Sequence, residues 1–193
     1  MPAAKRISKE AIIDAAAAVL RSGGFEAINA RSVAKALGCS TQPIYLSFRN
    51  MEELKSALTQ RAIEQHTQRV RESLRAHEGC DSRYSSYGMG FVQFAAQEKQ
   101  LFRWLYLEDN QPGRQQEDVL EPEIIRTVMD EFGYDEVTAR AFHRDMTYYS
   151  YGLAILANTG HLALTETELR EAFRREFRAL AAYYGPPKKM PEF

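Results

Sequence analysis

The chain has 193 residues, a mass of 22.0 kDa and a formal net charge of −1. Hydrophobic residues make up 45% and charged residues 26%, a globular composition that excludes a fibrous repeat and a disordered tail. The length fits one medium domain or two small ones and excludes a large multidomain enzyme. The sequence contains neither an apolar stretch long enough for a membrane span nor a signal-peptide pattern, so we expect a cytoplasmic protein.

Charge is unevenly distributed along the chain. Residues 1–60 contain eight basic and five acidic side chains, a balance of +3 that leaves −4 for the remainder. A basic end on an acidic body is typical of a protein that meets a polyanion at that end. The same excess also occurs on ordinary solvated surfaces, so this balance alone leaves both interpretations open.

Helix-capping residues indicate an all-α fold. Ser8, Asn29 and Ser40 precede three short periodic segments, and Asn50 precedes a longer one that extends to about His77. Aromatic-rich helices follow, and the last begins at the capping box that Thr165 opens. No alternating strand pattern is present. We therefore predict a helix-turn-helix domain over residues 1–50 and a helical bundle over 51–193, with 51–77 as a long connecting helix.

The second and third predicted helices have the spacing of a helix-turn-helix. Ala34, Gly38 and Ile44 supply a small residue at a helix crossing, a glycine in the turn and an apolar anchor under the second helix. Pro43 fits only the first turn of a helix, which places the N-terminus of the third helix at about Ser40 or Thr41. An ordinary capped helical hairpin is the alternative interpretation.

A longer set of residues makes this interpretation specific. It comprises Asn29, Ala30, Arg31, Ser32, Val33, Ala34, Leu37, Gly38, Cys39, Ser40, Ile44, Tyr45, Phe48, Glu52, Glu53 and Leu54. With them, the segment from Ile12 to Leu58 resembles the DNA-binding domain of the tetracycline-repressor-like (TetR) family of bacterial transcription regulators. The resemblance implies a double-stranded DNA operator as a partner. It implies a DNA contact surface formed by Arg31, Ser40, Thr41, Gln42, Pro43, Tyr45, Ser47, Arg49 and Lys55.

The resemblance also assigns roles within this surface. Thr41, Gln42 and Pro43 are expected to face bases or their backbone, and Tyr45 is expected to lie against a phosphate. The segment departs from the family pattern at two positions, since Ser47 stands where histidine is usual and Met51 where a lysine commonly meets phosphate. Arg49 or Lys55 would then compensate for Met51.

The C-terminal part resembles the effector-binding and dimerisation domain of the same family through its helix order and the segment from Phe91 to Asp109. The resemblance implies a homodimer that pairs through the last two long helices. As a repressor, this dimer would bind a palindromic operator and leave it when a small-molecule effector binds. An apolar stripe on the last helix offers a pairing face, unless it packs within its own subunit. The stripe comprises Leu169, Phe173, Phe177, Leu180 and Tyr184.

Aromatic and methionine side chains in the bundle are candidates for the effector pocket, because such side chains adapt to varied organic ligands. The candidates are Tyr87, Phe91, Phe94, Met129, Phe142, Met146 and Tyr149. His143 and Asp145 could orient a polar group of the ligand. Ordinary core packing is the alternative for each residue.

No catalytic pattern accompanies these features. His66, His77, His143 and His161 lack metal-ligand spacing, and Cys39 and Cys80 lack a nearby cysteine partner. Phosphate-binding glycine loops and a nucleophile elbow are also missing from the sequence. We therefore expect neither an enzyme nor a cofactor nor a metal. A helical adaptor that binds only protein remains the alternative if Ser47 and Met51 mark a degenerate DNA contact surface.

Overall fold

The computed structural model describes residues 7–75, 82–108 and 112–188, and every regular element within these ranges is helical. The all-α fold class is therefore confirmed. In chain order the elements are α1 (Lys9–Gly23), a 3₁₀ turn (Phe25–Ala27), α2 (Ala30–Leu37), α3 (Gln42–Ser47), α4 (Met51–Arg75), α5 (Arg83–Gln97), α6 (Lys99–Phe102), a π-helical turn (Arg103–Leu107), α7 (Pro112–Phe132), α8 (Glu136–Thr159) and α9 (Glu166–Tyr184).

Side-chain caps begin most of these helices where the sequence predicts them. The hydroxyl of Ser8 accepts a hydrogen bond from the amide of Ala11 at 3.1 Å. The side chain of Asn29 accepts from two amides of α2. Thr165 and Glu168 form a reciprocal capping box at the start of α9. These bonds satisfy amides that have no partner inside the helix, so each helix start is locally determined.

The predicted cap at Ser40 is wrong. Helix α3 begins one residue later, with Thr41 in helical conformation at the N-cap position and no side-chain cap bond. An N-cap serine bonds the amides of the second or third helical residue. Counting from Ser40, the third of these residues is Pro43, which has no amide hydrogen. The proline that marks this helix start thus also removes one of the donors that Ser40 needs.

The described residues form two packed units. Met1–Gln65 and Gln100–Gly113 contribute to the first, and His66–Lys99 and Arg114–Phe193 contribute to the second. Phe48, Phe102 and Trp104 are buried in the core of the first unit together with aliphatic side chains, which include Ile12, Ala16, Leu20, Val33, Ala34, Ile44, Leu54, Leu58 and Leu105. The ring of Phe25 stacks on Trp104 with centroids 5.0 Å apart. A segment far along the chain therefore completes the unit that contains α1, α2 and α3.

Aromatic rings form the core of the second unit. The rings of Tyr84, Phe132, Phe142 and Phe177 pack with centroids between 4.8 and 6.1 Å apart. Helix α5 packs along α8, and α9 packs against both. Leu169 and Phe173, like Phe177, are buried in this core. Three of the five stripe residues on α9 are therefore buried within their own subunit, and the ring of Tyr184 also contacts that of Phe142.

Two sequence predictions concern residues outside the described ranges. The connecting helix is described from Met51 to Arg75, whereas its predicted end near His77 lies outside the described residues, as does Cys80. The division at residue 50 remains a prediction.

Candidate nucleic-acid interface and ligand cavity

The turn between α2 and α3 depends on Gly38. Gly38 has φ +66° and ψ 33°, in the left-handed region that side chains with a Cβ rarely adopt. Its amide donates to the carbonyl of Lys35 at 3.2 Å, and the amide of Cys39 donates to that of Ala34 at 3.0 Å. The last carbonyls of α2 are thus satisfied, and the chain reverses within four residues to begin α3.

One face of helix α3 is buried in the first unit, and the opposite face, called the open face below, is exposed. Ile44 is buried, and Phe48 directly after the helix is also buried. On the open face Gln42 is exposed, and the exposed fractions of Tyr45 and Leu46 are 55% and 79%. Sequence reasoning missed Leu46, although its position one turn after Gln42 places both on the same face. The arrangement presents a polar, an aromatic and an aliphatic side chain to a partner.

The two basic candidates near the start of α4 differ in exposure. The side chain of Arg49 is 90% exposed, and both its Nε and its backbone amide donate to the Glu53 carboxylate. That backbone bond and the Arg49 side chain lower the pKa of Glu53. Lys55 is only 20% exposed, and its ammonium lies 4.6 Å from the centroid of the Phe25 ring. Arg49 is therefore the more accessible cation.

The remaining residues of the predicted DNA contact surface lie around α3. Arg31 is exposed in the first turn of α2, and Ser40 is exposed in the interhelical turn. Thr41, Pro43 and Ser47 are half-buried. All nine residues belong to the first unit, although the partly covered Lys55 is less accessible than the others.

A cavity of about 20 Å³ lies in the second unit between α5, α8 and α9. As it stands, this space holds about one water molecule. Its lining combines aromatic and apolar side chains with hydroxyl and imidazole groups. The lining residues are Tyr84, Ser85, Tyr87, Gly88, Phe91, His143, Met146, Thr147, Ser150, Tyr151, Phe173 and Phe177.

Three of the seven ligand candidates, Tyr87, Phe91 and Met146, line this cavity. The other four lie elsewhere: Phe94 packs its ring against His66, Met129 is half-buried on α7, Phe142 is fully buried in the aromatic core, and Tyr149 donates to the carbonyl of Ala172. Of the two polar candidates, His143 lines the cavity, whereas Asp145 accepts a hydrogen bond from Tyr184.

Two small residues that were not among the sequence candidates also line the cavity. Ser85 and Gly88 are one turn apart on α5, between the larger rings of Tyr84 and Phe91. A Cβ at Gly88 would lie 2.9 Å from a ring carbon of Phe173, so only glycine allows this ring to approach α5. The recurrence of small residues one turn apart among aromatic ones was the available signal.

The polar groups of the cavity are neutral. Burial lowers the pKa of His143 to about 4, so its imidazole is uncharged at neutral pH. Its Nδ1 lies 2.8 Å from the Tyr84 hydroxyl, whose pKa is raised by burial. Among the described residues that line the cavity, none carries a formal charge under these conditions.

A second cavity, of about 180 Å³, lies within the first unit beside α1 and α4. Its lining includes Asp14, Arg21 and Arg61, and the guanidinium of Arg61 pairs with the Asp14 carboxylate at 2.9 Å. No unsatisfied buried side-chain atom is found among its described lining residues. It is the larger of the two voids, but Asp14 and Arg61 on its lining already pair with each other.

Apolar side chains are exposed on α8 and α9. Val137, Tyr148 and Ile155 are spaced by three and two helical turns and so share one face of α8. Gly152 is exposed on the same helix, and a Cβ there would meet no atom within 4 Å. Tyr183 is exposed on α9. We refer to these five residues as the α8–α9 surface.

No group of three potential metal ligands occurs in the described part of the chain. No helix within the same ranges is both long and apolar enough to cross a membrane.

One segment of the chain matches a known protein family. Residues 12–58 match the family described as bacterial regulatory proteins, tetR family. This confirms the resemblance that the sequence predicts for Ile12 to Leu58. A comparison with curated proteins gives no match.

Solved structures match over nearly the whole chain. A TetR-like transcriptional regulator from Rhodococcus sp. RHA1 is 20% identical with a TM-score of 0.62, covering 93% of this chain and 99% of its own. The fatty acid degradation regulator FadR from Bacillus halodurans is 16% identical with a TM-score of 0.58, covering 97% and 100%. FadR from Bacillus subtilis, in complex with stearoyl-CoA, is 15% identical with a TM-score of 0.52, covering 90% and 97%. These likenesses show a common fold.

Proposed function

We propose that this chain is a homodimeric repressor. Residues 12–58 match the TetR family of DNA-binding transcription regulators, and the chain shares its fold with a TetR-like transcriptional regulator. The dimer binds a palindromic operator in the cytoplasm and leaves it when a small apolar or aromatic effector binds. The observation that carries the proposal is the open face of α3, with Gln42, Tyr45 and Leu46 exposed above the buried anchor Ile44. No catalytic step is involved.

In this proposal α3 enters the major groove. Gln42 is an amide that can bond an adenine edge, and Leu46 can contact a thymine methyl group. Tyr45 and the exposed Arg49 and Arg31 bind phosphates and set the register of the helix. Ser40, Thr41, Pro43, Ser47 and Lys55 complete the surface.

The α8–α9 surface supports a homodimer. One short recognition helix contacts too few base pairs for a selective site, whereas a two-fold dimer doubles the contacts. Pairing would cover Tyr148, Ile155 and Tyr183, and the missing side chain at Gly152 allows a close approach of helices. Two-fold symmetry then requires half-sites related by the same symmetry, which is why we propose a palindromic operator.

The cavity of the second unit is the proposed effector site. At about 20 Å³ it suits a small molecule that displaces half-buried side chains such as Tyr87. The stearoyl-CoA of the Bacillus subtilis protein is large and anionic, and this uncharged lining does not favour such a ligand here. Release requires the effector to bind the DNA-free arrangement more tightly, and a coupling of about 1 to 3 kcal/mol is sufficient for a large loss of affinity.

The test is retention and titration of DNA. Purified full-length protein is incubated with genomic fragments, the retained fragments are sequenced, and a fluorescent duplex of the enriched sequence is titrated at two salt concentrations. We expect a two-fold symmetric site whose affinity falls steeply with salt, because bound phosphates release counterions. If no duplex is retained above background at low salt, the proposal fails and the protein-binding adaptor becomes the better interpretation.

Two variants separate the roles on α3. Gln42→Ala removes a proposed base contact and should relax preference at one operator position by about 1 to 3 kcal/mol. Tyr45→Phe removes only a proposed phosphate contact and should weaken all sequences about equally. Binding to a panel of single-base operator variants distinguishes the two, and identical specificity profiles would reject the assignment.

A further inference from the structure

One buried hydroxyl in the cavity of the second unit has no partner. The Ser85 side chain is 4% exposed, and its Oγ meets no hydrogen-bond partner. The other serine and the threonine on the lining differ, since Thr147 and Ser150 each donate to the carbonyl four residues earlier at 2.8 Å. A buried hydroxyl without a partner is unfavourable. Ser85 is therefore a group that a ligand can satisfy.

A second donor faces the same space. Tyr84 is buried, and its hydroxyl lies 2.8 Å from Nδ1 of His143; we assign the hydroxyl as the donor of this bond, which gives its proton an acceptor. Nδ1 must then be the unprotonated nitrogen, so the proton of the neutral ring is on Nε2. Burial keeps the ring neutral by lowering the pKa of His143 to about 4. Among the described residues no side chain is found to accept from Nε2, and His143 lines the cavity, so we take this N–H as a donor to that space.

The cavity thus offers two neutral donors within apolar walls. A charged ligand would lose its hydration without meeting an opposite charge, because none of the described lining residues is ionised at neutral pH. A purely apolar ligand would leave both donors unsatisfied. A neutral group with an acceptor oxygen meets both requirements, and its oxygen fits the space of about one water molecule that is already present.

We propose that the cavity binds a neutral carbonyl compound, such as a ketone, amide or lactone, whose oxygen accepts from the Ser85 hydroxyl and from Nε2 of His143. The apolar body of the ligand lies against Phe91 and Met146 and displaces the half-buried rings of Tyr87 and Tyr151. The inference rests on the proposed function in that it takes this cavity as the effector site.

Three probes of similar size test the ligand class. Acetophenone carries a neutral carbonyl, ethylbenzene lacks the oxygen, and benzoate carries a negative charge. Isothermal titration of the full-length protein should show acetophenone binding about tenfold more tightly than either of the others, since one satisfied hydrogen bond corresponds to roughly that factor. Equal affinity for benzoate, equal affinity for ethylbenzene, or no binding of acetophenone at its solubility limit would overturn the proposal.

Ser85→Ala tests the contact itself. The hydroxyl has no partner in the folded chain, so its removal breaks no hydrogen bond and the variant should fold. Acetophenone affinity should fall about five- to tenfold, whereas ethylbenzene affinity should stay unchanged. The control is Ser86→Ala, which removes the neighbouring hydroxyl on α5 that bonds the carbonyl of Ser82 outside the cavity lining. Equal losses in both variants, or no loss in Ser85→Ala, would overturn the proposal.

A spectroscopic signal separates contact from packing. The carbonyl stretch of ¹³C-labelled acetophenone moves to lower frequency when the oxygen accepts hydrogen bonds, and this shift should shrink in Ser85→Ala but persist in Ser86→Ala. An unshifted stretch in the parent would refute the contact. Operator release is measured separately: if acetophenone binds through Ser85 but leaves DNA affinity unchanged, the effector role fails while the ligand class is supported.

Discussion

Arg49 and Lys55 lie on either side of the first turn of α4, but only Arg49 extends into solvent. Arg49→Gln should weaken operator binding and lower the slope of log affinity against log salt by about one, because one phosphate contact is lost. Lys55→Gln should leave that slope nearly unchanged, since the lysine ammonium already contacts the Phe25 ring. Fluorescence titrations at several salt concentrations measure both slopes. The same decrease in slope for both variants would contradict the distinction.

His143 should make stability depend on pH. Burial lowers its pKa from 6.5 to about 4 in the folded chain, so protonation favours the unfolded state. Its contribution is complete above pH 6.5 and is lost as the pH falls towards 4. Between pH 7 and pH 5 the parent should lose about 2 kcal/mol more stability than His143→Gln.

Urea unfolding at the two pH values measures this difference. His161→Gln is the matched control, because it replaces an exposed histidine that follows the same helix, α8. The control should lose as much stability as the parent on acidification. A parent and His143→Gln variant with the same pH dependence would show that this imidazole is not buried in the neutral form.

At the scale of elements, the turn between α2 and α3 should tolerate only glycine at its centre. A Cβ at Gly38 would meet no atom within 4 Å, so the cost of Gly38→Ala comes from the positive φ alone and should be about 1 to 2 kcal/mol. Gly90→Ala is the control, because Gly90 is within α5 and its Cβ would also meet nothing. That change should instead stabilise the chain by roughly 0.5 to 1 kcal/mol.

Unfolding of the Gly38 variant can be followed in its own unit, because the single tryptophan, Trp104, belongs to it. Circular dichroism follows the helices of the whole chain. If Gly38→Ala is as stable as the parent, the left-handed conformation does not hold this turn.

The local features of these helices could be predicted from the sequence, because cap bonds join residues two or three positions apart. Ser8, Asn29 and Thr165 cap helices where the pattern indicates. Pro43 placed the start of α3 at about Ser40 or Thr41, and the structure has Thr41 at the N-cap; the error was to expect Ser40 there because serine is a common capping residue.

The cavity was harder to predict, because it depends on which faces of distant helices meet. Helical spacing made Phe91 and Phe142 equally good candidates for the ligand site. The packing of α5, α8 and α9 places only Phe91 on the cavity lining. The small size of Ser85 and Gly88 is visible in the sequence, but the missing hydrogen-bond partner of the Ser85 hydroxyl is not, because it depends on the packing around it. The stripe on α9 was similarly ambiguous between pairing and internal packing.

At the scale of the whole molecule, the proposed dimer should depend on the α8–α9 surface. Ile155→Glu places a charge on this surface, where pairing would bury it, and should convert the dimer to a monomer and abolish tight operator binding. Val119→Glu adds the same charge at an exposed apolar position of α7 and should leave the assembly intact. Sedimentation equilibrium gives the mass of each variant. A dimeric Ile155→Glu protein would place the interface elsewhere.

The contact between Phe25 and Trp104 affects when the first unit can finish folding during synthesis of the chain. Residues 7–65 are synthesised before Trp104 and Leu105, so the first unit is complete only when this later segment can pack against Phe25. The same dependence limits modular exchange between regulators. A hybrid joined after Gln65 would remove the partner of Phe25, whereas one that also carries residues 99–108 of this chain would preserve the stack.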